Sequence, residues 1–423
     1  MLIQNVKGGY DFLPKEQLIR NYINDILRET FEEYGYKPVE TPILCYYDIL
    51  SDKYDDNADI LKEIYKLTDQ GKRELGLRYD LTIPFSKLIA LNKNKITFPF
   101  KRYEISKVFR DGPVKIGRDR EFTQCDVDVV GIEGQYIEAE LLSLYVRAFN
   151  KLNIDIVIKY NSRSLMTGLI LEAGVSEDLV SSVTTIIDKR DKITILEFNQ
   201  MLKDIGLNKK QIVVLNKYFS FSLQQLKKEF SITNNNKLQA GLEEINNLNT
   251  YLVGLGIDEF CEFSSTLARG QNYYTGNVFE VYEKNGRIKG SIGAGGRYDG
   301  IISNFISDGN VYPTVGISFG LSSIYELLKD IDLFTKRSQI DFYIIPIGTE
   351  IESLILANKL REKGCKVEIE MTRRKLRKSI EYADKEKIPY VIVLGNDEII
   401  RGVFSVKKLE TGEIYEVSMS ELE

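Results

Sequence analysis

The spacing of apolar residues changes twice along this chain of 423 residues, and those changes constrain its fold more than any other feature. Residues 15–35 place Leu18, Ile19, Tyr22, Ile23, Ile26, Leu27 and Phe31 at helical spacing and close on Gly35, which predicts an amphipathic helix with a glycine cap. From residue 36 to about 131 the texture turns to short β-type runs such as KPVETPIL, KEIYKLTD, ELGLRYDL, FPFKRYEISKVFR and EFTQCDVDVVG, several of them alternating. A helix is expected over 134–152, and residues 163 to about 256 read as a polar, helical insertion. Strand-type sequence resumes with EFSSTLARGQNYYTGNVFEVYEK and RIKGSIGAGGRYDGI, divided by a turn at Asn285 and Gly286, and a helix follows over about 321–330. From about Gln339 onward, continuous apolar strands (IDFYIIPIG, CKVEIEM, IPYVIVLG) alternate with helical stretches. That pattern predicts a small sheet buried on both faces. The expected organisation is therefore 1–325, interrupted by the insertion at about 163–256, a linker at 326–338, and an α/β domain at 339–423.

Composition excludes several kinds of chemistry. The chain has no histidine, which removes an imidazole base, a Ser-His or Cys-His nucleophile pair and any His-ligated metal. Its four cysteines are scattered, with no C-x-x-C pair, which argues against a zinc site or a disulfide framework and fits a reducing cytosol. The opening MLIQNVKGGYDFLPKEQ has no apolar leader core, and no apolar run is long enough to span a bilayer. The expectation is a cytoplasmic protein with no membrane partner. Net charge is −5, so contact with nucleic acid must rely on local basic patches. Whatever reaction occurs must run on carboxylates, arginines, lysines, tyrosines and backbone amides.

Three clusters carry chemical potential. KRYEISKVFRDGPVKIGRDREFTQCDVD (101–128) reads as two strands joined by a Gly/Pro loop, with Arg102, Arg110, Arg118 and Arg120 near the turn. Guanidinium groups hold phosphate bidentately without risk of deprotonation, so several around one loop suit a polyphosphate. Taken alone, such a hairpin is more often a solvated surface. ARGQNYYTGNVFE (268–280) sets Arg269, Tyr273 and Tyr274 just before a strand. In SIGAGGRYDG, Gly293, Gly295 and Gly296 allow a ligand or another strand to approach the backbone. It is neither a Walker loop nor a dinucleotide fingerprint.

Taken together, these segments resemble the histidyl-tRNA synthetases, a family of class II aminoacyl-tRNA synthetases, over essentially the whole chain. NVKGGYDFLP (5–14) matches the family's opening, and YKPVETPIL (36–44) matches motif 1 with Pro42. LRYDLTIPF (77–85) and 101–128 match the amino-acid pocket and motif 2, and RGQNYYTG (269–276) and GAGGRYDG (293–300) match two histidine-specific signatures. Residues 339–423 resemble the anticodon-binding domain, including its A-D-K and G-x-D/E-E features. The resemblance implies an α+β class II catalytic domain, an antiparallel sheet flanked by helices, with a helical insertion and a C-terminal α/β anticodon-binding domain.

It also implies a histidine--tRNA ligase that uses ATP and Mg²⁺, charges tRNA(His) with L-histidine and forms a homodimer through motif 1. Arg110 would hold the α-phosphate, and Arg269 the same phosphate and the carboxylate from the opposite side. Arg118, Arg120 and Glu121 fall at ATP-binding positions, the two arginines on the outer phosphates. Asp80, Thr82 and Gln124 match the ammonium site; Asp128 and Tyr274 would bond the two imidazole nitrogens, with Tyr273 beside them. No side chain is assigned to a metal. A neutral imidazole offers one donor and one acceptor, which a carboxylate and a phenol across a pocket can satisfy.

The pattern is broken in places. Ser323 stands where motif 3 normally carries an arginine, and Ser322 replaces an acidic residue. Gly112 falls where motif 2 commonly carries the acid that reads adenine, with Asp111 one place early, and Gln271-Asn272 replaces Leu-Asp. Losing one phosphate arginine predicts weaker ATP binding unless Arg118, Arg120 or Mg²⁺ compensates. A competing reading is a non-catalytic or specialised paralogue of the kind that serves as a regulatory subunit in histidine biosynthesis. The presence of Arg269 and of the terminal domain favours the enzyme. The basic run RRKLRK (373–378) suits an anticodon stem or a plain solvated helix face.

Overall fold

The computed structural model describes residues 3–51, 59–114, 117, 119–269, 273–330 and 338–418. The chain divides into two compact units, Met1–Lys329 and Asp330–Glu423. The first is built on an eight-stranded sheet. Its strands in chain order are β1 (Lys37–Pro38), β2 (Phe100–Phe109), β3 (Glu121–Val130), β4 (Ile156–Ser162), β5 (Cys261–Phe263), β6 (Asn277–Glu283), β7 (Gly293–Arg297) and β8 (Thr314–Gly320). They lie in the order β1-β2-β3-β8-β7-β6-β4-β5. The interior pairs are antiparallel and the two outermost pairs parallel.

Strand alternation decides what faces the site. The helices Pro14–Glu33 and Tyr136–Lys151 cover one face of the sheet; Phe31 meets Tyr103 and Phe319, each at 5.5 Å between ring centroids. Tyr103, Cys125 and Val127 therefore belong to the core, while Arg102, Glu104, Gln124, Asp126 and Asp128 take the opposite face of the same strands. Between Arg163 and Leu255 the chain is helical, as the insertion pattern predicts. Its helices Arg163–Glu172 and Asn236–Leu255 approach so closely that a Cβ on Gly241 would lie 2.1 Å from the Leu165 nitrogen.

Two helices arise where strand-type sequence was expected. Thr82–Asn92 (TIPFSKLIALN) lies inside the β-textured stretch. Its Thr82, Ile83, Pro84, Phe85, Ser86 and Ile89 are all buried, so it carries no polar stripe to reveal a helical period. The helix Asp299–Ile306 follows directly on the glycine-rich strand β7.

In the second unit the strands Phe342–Ile347, Val367–Ile369 and Tyr390–Gly395 are parallel, and Val403–Lys408 and Ile414–Ser418 extend them antiparallel, a pair the sequence did not reveal. One sheet face packs Ile344 and Ile392 on Leu356 and Leu360; the other packs Tyr343 and Val391 on Ala383. The predicted double burial is thus observed. The helix begins at Leu376, so the exposed basic run straddles its start.

Candidate active site

A cavity of about 290 Å³ opens on the polar face of the sheet. Asp80, Thr82, Arg110, Gln124, Asp128, Arg269, Tyr273 and Tyr274 all line it. These eight come from four separate stretches of sequence, which the β2–β3 hairpin, the start of helix Thr82–Asn92 and the segment before β6 bring together. Arg120 and Glu121 do not line it. Arg120 folds back, with Nε donating to the Gly112 carbonyl at 3.2 Å and Nη2 3.2 Å from Asp111 Oδ1. Glu121 pairs with Lys107 at the exposed end of the hairpin. Arg118, Gln271 and Asn272 lie outside the described residues.

Among the described lining residues, Arg110 and Arg269 are the cations. The Arg110 guanidinium lies between the rings of Tyr79 (4.3 Å) and Phe122 (4.9 Å), and its Nε donates to the Tyr79 carbonyl at 3.3 Å. The two rings fix it by cation–π contact while leaving donors free for a ligand. Arg269 pairs through Nη1 with Glu280 Oε1 at 2.5 Å. Its buried Nε makes no hydrogen bond among the described residues. Burial alone would lower its pKa, but Tyr274 and Glu280 outweigh that and raise it, so the charge is permanent.

At the other functional groups the geometry is specific. Asp80 Oδ1 accepts from the Ile83 amide at 3.1 Å, capping the helix that Thr82 begins. Gln124 Nε2 donates to Ser318 Oγ at 3.0 Å and Asp126 Oδ1 at 3.3 Å, leaving its buried Oε1 without a hydrogen bond among the described residues. Asp128 Oδ1 accepts from the Tyr298 hydroxyl, and Oδ2 lies 2.6 Å from Arg102 Nη2. Across the sheet, Asp128 pairs with Gly316 and Gly316 with Gly296. A Cβ on Gly316 would fall 1.8 Å from Asp128 Oδ1, and one on Gly296 2.8 Å from the Tyr274 ring. Asp128 and Tyr274 therefore lie over a floor of two glycines. A further signature glycine, Gly295, admits a neighbouring strand: its Cβ would fall 2.2 Å from the Gly316 carbonyl oxygen.

Sequence reasoning missed several participants. Arg102 lies away from the turn arginines: it is fully buried at the far end of β2, directly opposite Asp128. Counting back along an antiparallel hairpin that closes at Phe109 and Glu121 would have placed it there. Tyr298 sits inside the second signature and was passed over. At Gly112, a Cβ would lie 3.0 Å from Glu63 Oε1, so a carboxylate from elsewhere in the chain occupies that neighbourhood. Ser322 Oγ donates to Asp119 Oδ2 at 3.0 Å, and Ser323 is buried.

Asp126, also unanticipated, is buried among acids; desolvation first and Asp128 second push its pKa to about 7. Its folded value thus exceeds the ordinary value near 3.9. The folded state then holds an extra proton between about pH 4 and pH 7, and stability falls as pH rises through that window. Asp126→Asn should flatten this part of the stability profile, measured by denaturant midpoints across the range; an unchanged slope would refute the assignment.

An antiparallel sheet with helices on one face and an arginine-bearing, acid-lined cavity on the other is the architecture of a class II aminoacyl-tRNA synthetase catalytic domain. A histidyl-tRNA synthetase family model matches residues 8–324, and an anticodon-binding-domain model matches 341–423. The chain belongs to the histidyl-tRNA synthetase family. It is 46% identical to Histidine--tRNA ligase 1 of Bacillus thuringiensis subsp. konkukian, over 100% of this chain and 99% of the relative. The crystal structure of histidyl-tRNA synthetase from Nostoc sp. PCC 7120 superposes with a TM-score of 0.85 at 29% identity, covering 100% of this chain and 98% of the other. An ATP phosphoribosyltransferase regulatory subunit/histidyl-tRNA synthetase from Bacillus halodurans C shares the fold, with a TM-score of 0.79 at 20% identity, over 93% of this chain and 99% of that one.

Proposed function

We propose that this chain is a cytoplasmic histidine--tRNA ligase: it joins L-histidine to ATP, forming histidyl-adenylate and releasing pyrophosphate, and passes the histidyl group to the 3′ end of tRNA(His). The observation that carries this reading is the convergence of Arg110, Arg269, Asp80 and Asp128 on one cavity. The substrate's own carboxylate attacks the α-phosphorus, so the chain needs no general base, only positioning and neutralisation of developing charge. Arg110 and Arg269 neutralise the α-phosphate and carboxylate. Asp80, Thr82 and Gln124 hold the ammonium; the orphaned Gln124 Oε1 is an acceptor suited to that cation. Asp128 and Tyr274 hold the imidazole, with Tyr273 packed against Tyr274 at 4.7 Å between ring centroids.

ATP would be met by arginines, while the carboxylates lining the cavity are buried around the histidine subsite. Mg²⁺ therefore fits as an ion carried on the nucleotide's phosphate oxygens and water. Arg120 is proposed to meet the outer phosphates once a nucleotide draws it in; Arg118 is proposed for the same phosphates, with Glu121 beside them. The exposed Pro42, Ile43 and Leu44 of motif 1, with Tyr46 just after it, form an apolar surface suited to a homodimer. No helix among the described residues is long and apolar enough to cross a membrane.

Purified protein should catalyse histidine-dependent ATP–pyrophosphate exchange that requires Mg²⁺, and should acylate tRNA(His). No exchange at saturating ATP and histidine would sink this reading.

A further inference from the structure

We propose that Arg102 is a positioning residue for substrate recognition: it holds Asp128 as a carboxylate, so that the site takes histidine with a neutral imidazole and disfavours the imidazolium. The inference rests on histidine being the substrate. Arg102 takes no part in the reaction scheme above. Arg102 is 0% exposed, and its Nη2 lies 2.6 Å from Asp128 Oδ2 while also donating to the Leu81 carbonyl at 3.3 Å. Its guanidinium stacks on Phe85 at 4.3 Å and Nη1 lies 3.7 Å from Glu104 Oε2, yet neither Nε nor Nη1 makes a hydrogen bond among the described residues. A buried cation with orphaned donors is costly to folding, which a purely structural role leaves unexplained.

The charges around Asp128 show what Arg102 contributes. From β2 come Arg102 and Glu104; from its own strand, Asp126; from the segment after β7, Tyr298; from the segment ahead of helix Thr82–Asn92, Asp80; and Tyr36 lies farther off. Glu104 is held chiefly by Arg78 at 2.9 Å and by both the amide and hydroxyl of Thr41, with Arg102 Nη1 at a longer 3.7 Å. Asp80 is assigned to the substrate ammonium. Burial pushes the Asp128 carboxyl up and leaves it above the ordinary carboxylate range, while Arg102 first and Tyr298 second oppose that shift and favour the charged form. With Arg102 present, the negative charge of Asp128 is already met, and each oxygen keeps a lone pair to accept one imidazole N–H. An imidazolium would bring a second cation into a dry pocket beside a guanidinium. Without Arg102, that same imidazolium would become the missing counter-charge.

The test is the pH dependence of pyrophosphate exchange between pH 5.5 and 8.5, using histidine and a ring that stays neutral throughout, such as 2-fluorohistidine. In the unmodified protein, kcat/KM for histidine should fall up to tenfold per unit below the free imidazole pKa of about 6.5, while the analogue's stays flat. Arg102→Met should raise the histidine KM by about 30-fold at pH 8, keep kcat and the ATP KM within about threefold, and abolish or reverse the fall at acid pH. Arg102→Lys should restore the profile in part. A flat or acid-favoured profile for histidine in the unmodified protein overturns the proposal, whether or not Arg102→Met folds. So does an Arg102→Met variant with the original KM and profile. If no histidine-dependent exchange occurs at any pH, the activity itself was misread, and the proposal falls with it.

Discussion

Arg269→Ala should lower histidine-dependent pyrophosphate exchange about a thousandfold, mostly in kcat, with smaller changes in KM for histidine and ATP. Removing one fixed donor aimed at developing oxyanion charge costs about 3–4 kcal/mol in comparable sites, or about 10²–10³ in rate. The upper end is expected here because Arg110 is the one other described cation lining the cavity. The variant also strands Glu280, whose carboxylate is then left with the Tyr282 hydroxyl. Some loss of stability is therefore expected alongside the loss of activity. The double variant Arg269→Ala/Glu280→Gln separates the two: thermal stability should recover and exchange should not. Lysine is a poor substitute, since a single ammonium cannot hold Glu280 and a substrate oxygen in the same fork. Exchange within tenfold of the unmodified protein would remove Arg269 from the mechanism.

How legible was this site before the structure? Most of the residues assigned from the sequence do line the cavity, because each sits in a short motif whose neighbours fix its direction. Tyr273 and Tyr274 precede β6, and Gln124 and Asp128 share one face of β3 by simple alternation. What failed was anything set by register or by folding back. Arg102 and Arg120 look alike in sequence, yet one is locked against Asp128 and the other curls onto Gly112. The helix Thr82–Asn92 was hidden by its own burial, and it carries the Asp80 cap and Thr82. In the C-terminal unit the parallel strands were visible as continuous apolar runs. The antiparallel pair was not, because VFSVKK and IYEVS are partly exposed and short.

A glycine is the most sensitive point of the proposed imidazole site. Gly316 lies between Asp128 on β3 and Gly296 on β7, and any Cβ there would sit 1.8 Å from Asp128 Oδ1 and 2.7 Å from its Cγ. No adjustment of a flexible tip relieves this, because that carboxylate is held by both Tyr298 and Arg102. Gly316→Ala must therefore expel Asp128 from its place. A charge-assisted hydrogen bond to the substrate worth about 2–3 kcal/mol would be lost, raising the histidine KM about 30- to 150-fold. The displaced carboxylate also leaves Arg102 without its closest counter-charge, so the melting temperature should drop as well. The ATP KM should stay within a few fold, since the arginines assigned to the nucleotide do not touch Gly316. Gly320→Ala is the matched control: it lines the same cavity, but its nearest neighbour would be the Ile292 carbonyl at 3.4 Å. If both variants bind histidine normally, Asp128 is not the group that reads the ring. If both lose histidine and ATP together, the effect is a collapse of the cavity and not a displaced carboxylate. Selective loss of histidine in Gly316→Ala alone is the result the glycine floor requires.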